Sequence, residues 1–361
     1  MPEFLQASIQ VLLGIGLLFG GGELFVQGSV AMAVIFGIPQ LVIGLTVVSL
    51  GTSAPELFVS LSSVLQGADA LAVSNVVGSN IFNVMVVLGS SALVLPLRVE
   101  SRLVRRDVPL MIAISAAVWG MASAGRVTWQ AGLALLLGLV INTIWEIRTA
   151  REQPDDSGSA EPDIEEDAAN GGWTLAIVRL IAGIGILTIG SRVLVSGATA
   201  AATYLGVSEA VIGLTIVSAG TSMPELITSL VAALRGRTDL AIGNVVGSCL
   251  LNLLLVLGAG ALAAAGRGLD VSPELIQDDL PVMLLTSLAC MPIFWTRGRI
   301  SRLEGGLLLG LYILYIVDNV LPRTTLASWS DEFRLLMLCF VLPVVMIVIM
   351  TQALVLSLIH I

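Results

Sequence analysis

Two thirteen-residue segments carry the residue types best suited to holding a cation. GLTVVSLGTSAPE spans 44–56 and GLTIVSAGTSMPE spans 213–225. Each sets Gly, Thr, Ser, Pro and one Glu within a long apolar stretch. A Glu in hydrocarbon costs about 2.5–3.5 kcal/mol or more, so an intramembrane Glu generally marks an ion pathway. Proline removes an amide donor and clashes with the carbonyl four residues earlier. Pro55 therefore frees the carbonyl of Gly51, and Pro224 that of Gly220. Broken backbone at that depth is tolerated only where it lines a cavity or is buried in protein. Thr52 and Glu56 are four apart and face the same way, as do Thr221 and Glu225. Their oxygens, the hydroxyls of Ser53 and Ser222 and the freed carbonyls form an oxygen-only ligand set.

A second polar stripe follows each segment: SNVVGSNIFN at 74–83 and GNVVGSCLLN at 243–252. Asn75, Ser79 and Asn83 recur every four residues and share a helix face, as do Asn244, Ser248 and Asn252. Gly78 and Gly247 permit close approach of a neighbouring helix. Two carboxylates without thiolate or imidazole disfavour soft metals and suit Ca²⁺, Na⁺ or Mg²⁺. Mg²⁺ holds its waters, which favours Ca²⁺ and Na⁺. One Ca²⁺ neutralises two carboxylates, whereas a set of Na⁺ ions must crowd the same oxygens; mutual exclusion, and hence exchange, follows. Cys249, Cys290 and Cys339 sit in apolar runs and read as small core residues. His360, the one His, is a tail residue.

The elements that must position these groups are membrane helices. The chain has 361 residues, 56% hydrophobic and 12% charged, against about 25% charged in an average soluble domain. That excludes a water-soluble enzyme. All 17 basic residues are Arg and none forms a nucleic-acid stripe; no cofactor is implied. Apolar runs predict eleven helices, at 5–36, 40–66, 70–97, 108–124, 127–147, 173–204, 209–234, 239–265, 279–296, 300–320 and 335–359. The MPEF start lacks a basic region, so the first run reads as a retained helix. Eight of the 26 acids fall between Glu152 and Asp167, in a polar connection that reads as disordered and solvated. Sorting the connections into alternating sets places eleven Arg on one side and four on the other. The linker is therefore expected in the cytoplasm and the N-terminus outside; the absence of Lys and the acidic linker point to the plasma (inner) membrane of a prokaryote.

A shift of 169 lays Gly14 on Gly183, Gly28 on Gly197 and Glu56 on Glu225. From Val42 to Gly89, roughly 28 of 48 positions are identical without a gap. Five helices precede the linker, so the second copy enters from the opposite side. The expected fold is an all-α polytopic membrane protein built of two inverted five-helix repeats with Pro-broken helices. The expected domains are a first repeat over 1–150, an acidic linker over 151–172, a second repeat over 173–320 and an extra C-terminal helix over 321–361. Glu23 and Arg192 occupy equivalent positions, where an ion pair or a water-facing site is favoured over transport.

The paired GTSxPE and GSxxxN segments resemble the alpha repeats of the sodium/calcium exchanger branch of the calcium/cation antiporter superfamily. The likeness covers both repeats and the ten-helix plan over about 1–320. It implies ion-coordinating roles for Thr52, Ser53, Glu56, Ser79 and Asn83, and for Thr221, Ser222, Glu225, Ser248 and Asn252. Backbone carbonyl ligands are implied at Ser49 and Ser218. Potassium-dependent relatives characteristically have Asp where this chain has Asn252, which argues against potassium co-transport. The function expected is Na⁺/Ca²⁺ antiport by alternating access, electrogenic, with the ions and the bilayer as partners. A proton- or Mg²⁺-coupled exchanger of the same fold and a gated cation channel are the alternatives.

Overall fold

The computed structural model describes residues 2–152, 162–205, 216, 218–295, 298–323, 327–337, 339, 343, 345 and 347. The centre of the acidic linker, His360 and most of the helix expected at 335–359 lie outside the described residues. The first repeat runs α1 (Pro2–Phe36), α2 (Gln40–Thr52), α3 (Ala54–Leu65), α4 (Asp69–Val94), α5 (Val108–Ala122) and α6 (Trp129–Glu152). The second runs α7 (Gly172–Tyr204), α8 (Ser218–Gly220), α9 (Met223–Leu234), α10 (Thr238–Ala263), α11 (Leu275–Trp295) and α12 (Arg302–Val320). A short α13 (Ser330–Leu336) follows.

Among the described residues seven helices are each long and apolar enough to cross a bilayer, or eight with α2 and α3 as one bent span. α5 is 15 residues long because the charged turn Leu103–Asp107 precedes it. The α2–α3 bend of 44° falls at Ser53, whose φ of −82° and ψ of 5° leave the helical region. Ser222 does the same before α9, with φ −90° and ψ 9°. Both breaks place Pro at the start of the following helix, where its missing N–H needs no partner.

Burial separates inner from outer helices. The apolar windows of α4 and α10 are 72% and 83% buried, whereas those of α6 and α12 are 17% buried. α4 and α10 are apolar around nearly their whole circumference apart from the polar stripe, as a helix enclosed by others must be. α6 and α12 form the outer wall.

The two copies are interleaved. The sequence showed no sign of four two-residue strands, β1 (Leu97–Arg98), β2 (Arg126–Val127), β3 (Leu269–Asp270) and β4 (Arg299–Ile300). β1 pairs with β4 and β2 with β3, both antiparallel. The first strand of each repeat thus joins the second strand of the other, and the register Leu97↔Ile300 becomes Leu269↔Val127 when the copies exchange places. Glycine contacts repeat the pattern: a Cβ on Gly305 would lie 2.6 Å from the Gly89 carbonyl, and one on Gly132 2.9 Å from that of Gly258. α1 and α7 pack antiparallel along a glycine seam in which Gly14, Gly21 and Gly28 meet Leu194, Leu187 and Leu180.

Candidate ion-binding site

The two Pro-broken segments and the two polar stripes meet at the centre of the molecule. Glu56 and Glu225 are both fully buried. Each carboxylate accepts a hydrogen bond from the other repeat: Ser222 Oγ donates to Glu56 Oε1 at 2.9 Å, and Ser53 Oγ donates to Glu225 Oε1 at 3.0 Å. Ser222 also lies 3.0 Å from Ser79 Oγ, and Thr52 lies 3.4 Å from Ser248 Oγ. The threonines cross in the same way. Thr52 Oγ1 donates to Asn244 Oδ1 at 3.1 Å, and Thr221 Oγ1 to Asn75 Oδ1 at 3.4 Å.

The asparagines brace the break from behind. Asn75 Nδ2 donates to Ser60 Oγ at 3.0 Å and to the Glu56 carbonyl at 3.4 Å. Asn244 Nδ2 makes the matching bonds to Ser229 Oγ at 2.9 Å and to the Glu225 carbonyl at 3.3 Å. These contacts fix the rotation of α3 and α9 about their axes, and so the direction in which each carboxylate projects.

At this centre, among the described residues, four buried acceptor oxygens have no hydrogen-bond donor, Glu56 Oε2, Glu225 Oε2, Asn83 Oδ1 and Asn252 Oδ1, and Asn83 Nδ2 has no acceptor. A buried polar atom without a partner costs about 1–3 kcal/mol, and more if charged. Asn83 and Asn252 each open a π-helical turn, Asn83–Leu88 and Asn252–Val256. Such turns widen a helix locally and are frequent at functional sites.

Ser49 behaves differently from the other residues expected here. Its hydroxyl faces the α2–α10 crossing and donates to the Gly44 carbonyl at 2.6 Å and to that of Asn244 at 3.1 Å. Its carbonyl accepts the Ser53 amide at 2.9 Å. Ser218 begins α8. The Gly220 carbonyl freed by Pro224 is not left open, since the Ser191 hydroxyl on α7 donates to it. Sequence reading missed Ser191, which belongs to neither repeated motif. It also missed Asn80, one position off the four-residue stripe, whose Oδ1 accepts from Asn252 Nδ2 at 3.5 Å.

Among the described residues, the two equivalent approaches to this centre differ. A cavity of about 750 Å³ between α3 and α7 reaches Pro55 and Thr221, with Phe58, Ser191 and Arg192 on its walls. The equivalent passage between α9 and α1 is shut. There a Cβ on Gly22 would lie 2.9 Å from Ile227, and Arg235 pairs with Glu23. The equivalent residues Glu23 and Arg192 thus have different fates: one is in an ion pair, the other lines the open cavity.

A sequence profile of the family described as sodium/calcium exchanger protein matches residues 7–148 and 175–320. The inner membrane protein YrbG of Escherichia coli is 34% identical over 326 residues, covering 88% of this chain and 99% of that protein. The sodium/calcium exchanger MaX1 of Methanosarcina acetivorans is 30% identical over 341 residues, covering 85% and 96%. Among solved structures, the sodium-calcium exchanger NCX_Mj soaked with 10 mM Na⁺ and zero Ca²⁺ superposes with a TM-score of 0.72 at 31% identity, covering 87% of this chain and 98% of that one.

Proposed function

Because the chain belongs to the sodium/calcium exchanger protein family, we propose that it exchanges Na⁺ for Ca²⁺ across the membrane by alternating access. The fold and family are those of a transporter and not of an enzyme. The observation that carries the reading is the set of four buried oxygens without donors, two of them on carboxylates. A cation supplies what these oxygens lack, and hard oxygen ligands suit Ca²⁺ and Na⁺.

Thr52, Ser53, Glu56, Ser79 and Asn83 hold the ions from the first repeat, and Thr221, Ser222, Glu225, Ser248 and Asn252 hold them from the second. The Ser49 and Ser218 carbonyls complete the shell. The Arg distribution supports an orientation with the α3–α7 cavity on the outer side, in which this conformation faces outward and the linker lies in the cytoplasm of a cell whose inner membrane holds the protein. α1 and α7, joined by their glycine seam, slide together against the other helices, closing one passage as the other opens.

The test is radioactive calcium uptake by proteoliposomes with and without an opposed Na⁺ gradient, with H⁺ and Mg²⁺ gradients as separate arms. Uptake driven by Na⁺ alone is expected. Uptake driven equally by H⁺ or Mg²⁺, or independent of any counter-gradient, overturns the assignment.

A further inference from the structure

A second cavity, of about 550 Å³, lies away from the ion centre, at the ends of α4, α9 and α10. Its walls include Gln40, Arg98, Arg237, Thr238, Asp239 and Arg299. Three arginines face one acid there. Arg98 and Arg299 stand opposite each other in the β1–β4 ladder, a placement in which like charges repel. Arg237 is 8% exposed, and its Nη2 has no hydrogen-bond partner among the described residues. It immediately precedes α10, whose first turn has no side-chain cap, so the free amides at Thr238 and Asp239 add a positive helix end to the same wall.

The inverted repeat provides an internal control. Exchange of the copies sends Arg98 to Asp270, Arg299 to Arg126 and Thr238 to Asp69. On that opposite face the charges are matched: Arg126 pairs with Asp270 at 2.7 Å and Arg267 with Asp69 at 3.1 Å. The acids that neutralise one face are replaced by Arg and Thr on the other. Among the described lining residues, Arg98, Arg237 and Arg299 face Asp239 as the one acid, a net charge of +2.

We propose that this cavity binds a phosphate monoester or inorganic phosphate dianion. Such a group carries about −1.5 to −2 at neutral pH, which matches the surplus, and guanidinium forks with helix-terminal amides are the usual donors to phosphate oxygens. The group bridges the two repeats, held by Arg98 from the first and by Arg237 and Arg299 from the second. Its source is either a soluble phosphate or the headgroup of a monoester lipid at the membrane surface.

The experiment uses the full chain in phosphatidylcholine nanodiscs. Inorganic phosphate is titrated calorimetrically, and phosphatidic acid retention is measured by native mass spectrometry against phosphatidylglycerol, a diester. Arg98→Gln and Arg299→Gln, both at exposed positions, are each expected to weaken binding at least about tenfold. Arg148→Gln removes an equal charge from the exposed end of α6 and is expected to change nothing. Saturable phosphate binding lost in the two variants assigns a soluble source. Selective phosphatidic acid retention lost in them, without phosphate binding, assigns a lipid source. Absence of both, or equal losses in Arg148→Gln, overturns the proposal.

Discussion

The Ser222 hydroxyl lies 2.9 Å from Glu56 Oε1, and the two residues belong to different copies of the repeat. Ser53 and Glu225 make the mirror contact at 3.0 Å. Neither carboxylate is therefore positioned by its own copy alone. A displacement of one broken helix moves a donor away from the opposite Glu and changes both halves of the site at once. In the proposed cycle this couples ion occupancy to the relative position of the repeats.

The carboxylates and their crossed serines separate in their expected effects. Glu56→Gln or Glu225→Gln leaves one fixed charge for a divalent ion in a low-dielectric site, and each is expected to abolish Na⁺-dependent Ca²⁺ flux in protein that still folds. Ser53→Ala and Ser222→Ala remove one charge-assisted bond each, worth about 1.5–3 kcal/mol. They are expected to weaken Ca²⁺ affinity by roughly tenfold or more while exchange persists at high Ca²⁺. Near-normal flux in both Gln variants would remove the centre from the transport pathway.

The ion pair across the closed passage is a modest latch. Glu23 and Arg235 are 31% and 48% exposed at their side chains, and exposed pairs contribute about 0.2–1 kcal/mol. Arg235→Gln is therefore expected to raise the population with this passage open by up to about fivefold. The readout is the maleimide labelling rate of Ile227→Cys, at the α1–α9 contact, with the three native cysteines replaced. An unchanged rate means that the Gly22–Ile227 packing closes the passage unaided.

How much of this was legible in the sequence depends on what each feature repeats. The paired Glu, Ser and Thr positions stood out because selection of the same polar residues at equal spacing in two apolar copies has no packing rationale. Their crossed bonding was not legible: Ser53 lies three residues from Glu56, and only the three-dimensional two-fold hands it to Glu225 instead. Ser191 was invisible because a single Ser in a membrane helix has many packing uses, and nothing local shows that it reaches the Gly220 carbonyl. The strands were missed because two-residue ladders have no periodicity to detect. Arg192 and Glu23 were seen as equivalent, but equivalent positions in an asymmetric conformation meet different surroundings.

Stability at the end of α6 rests on a buried charge cluster. Glu146 is 1% exposed and pairs with Arg102 and Arg106, which also face Asp107 and stack on Trp145. Glu146→Gln removes the acid that both arginines share, leaving them with Asp107, with Glu100 facing Arg102 and with the Asn142 amide oxygen on Arg106. Removing one partner of a buried pair typically costs about 3–5 kcal/mol. By contrast Arg126 and Asp270 are 52% and 63% exposed, and Arg126→Gln is expected to cost no more than about 1 kcal/mol. Thermal unfolding of the two variants in the same detergent tests the difference; equal losses would mean that the Glu146 cluster is solvated in the membrane.

Charge counting at the proposed ion centre leads to a voltage dependence. Glu56 and Glu225 supply −2, which one Ca²⁺ or two Na⁺ would balance. The proposed shell has more oxygens than two Na⁺ require: Thr52, Ser53, Ser79 and Asn83 recur as Thr221, Ser222, Ser248 and Asn252. A third Na⁺ therefore has ligands, and Asn at position 252 provides no third carboxylate to cancel its charge. Exchange of three Na⁺ for one Ca²⁺ moves one net charge per cycle, worth roughly 2.3 kcal/mol per 100 mV. An inside-negative potential is expected to speed Na⁺ influx coupled to Ca²⁺ efflux and to shift the endpoint of exchange. The measurement is calcium flux in proteoliposomes with a valinomycin-clamped potassium potential at fixed Na⁺ and Ca²⁺ gradients. A rate and endpoint indifferent to that potential would show electroneutral exchange, with the centre holding two Na⁺ in place of each Ca²⁺.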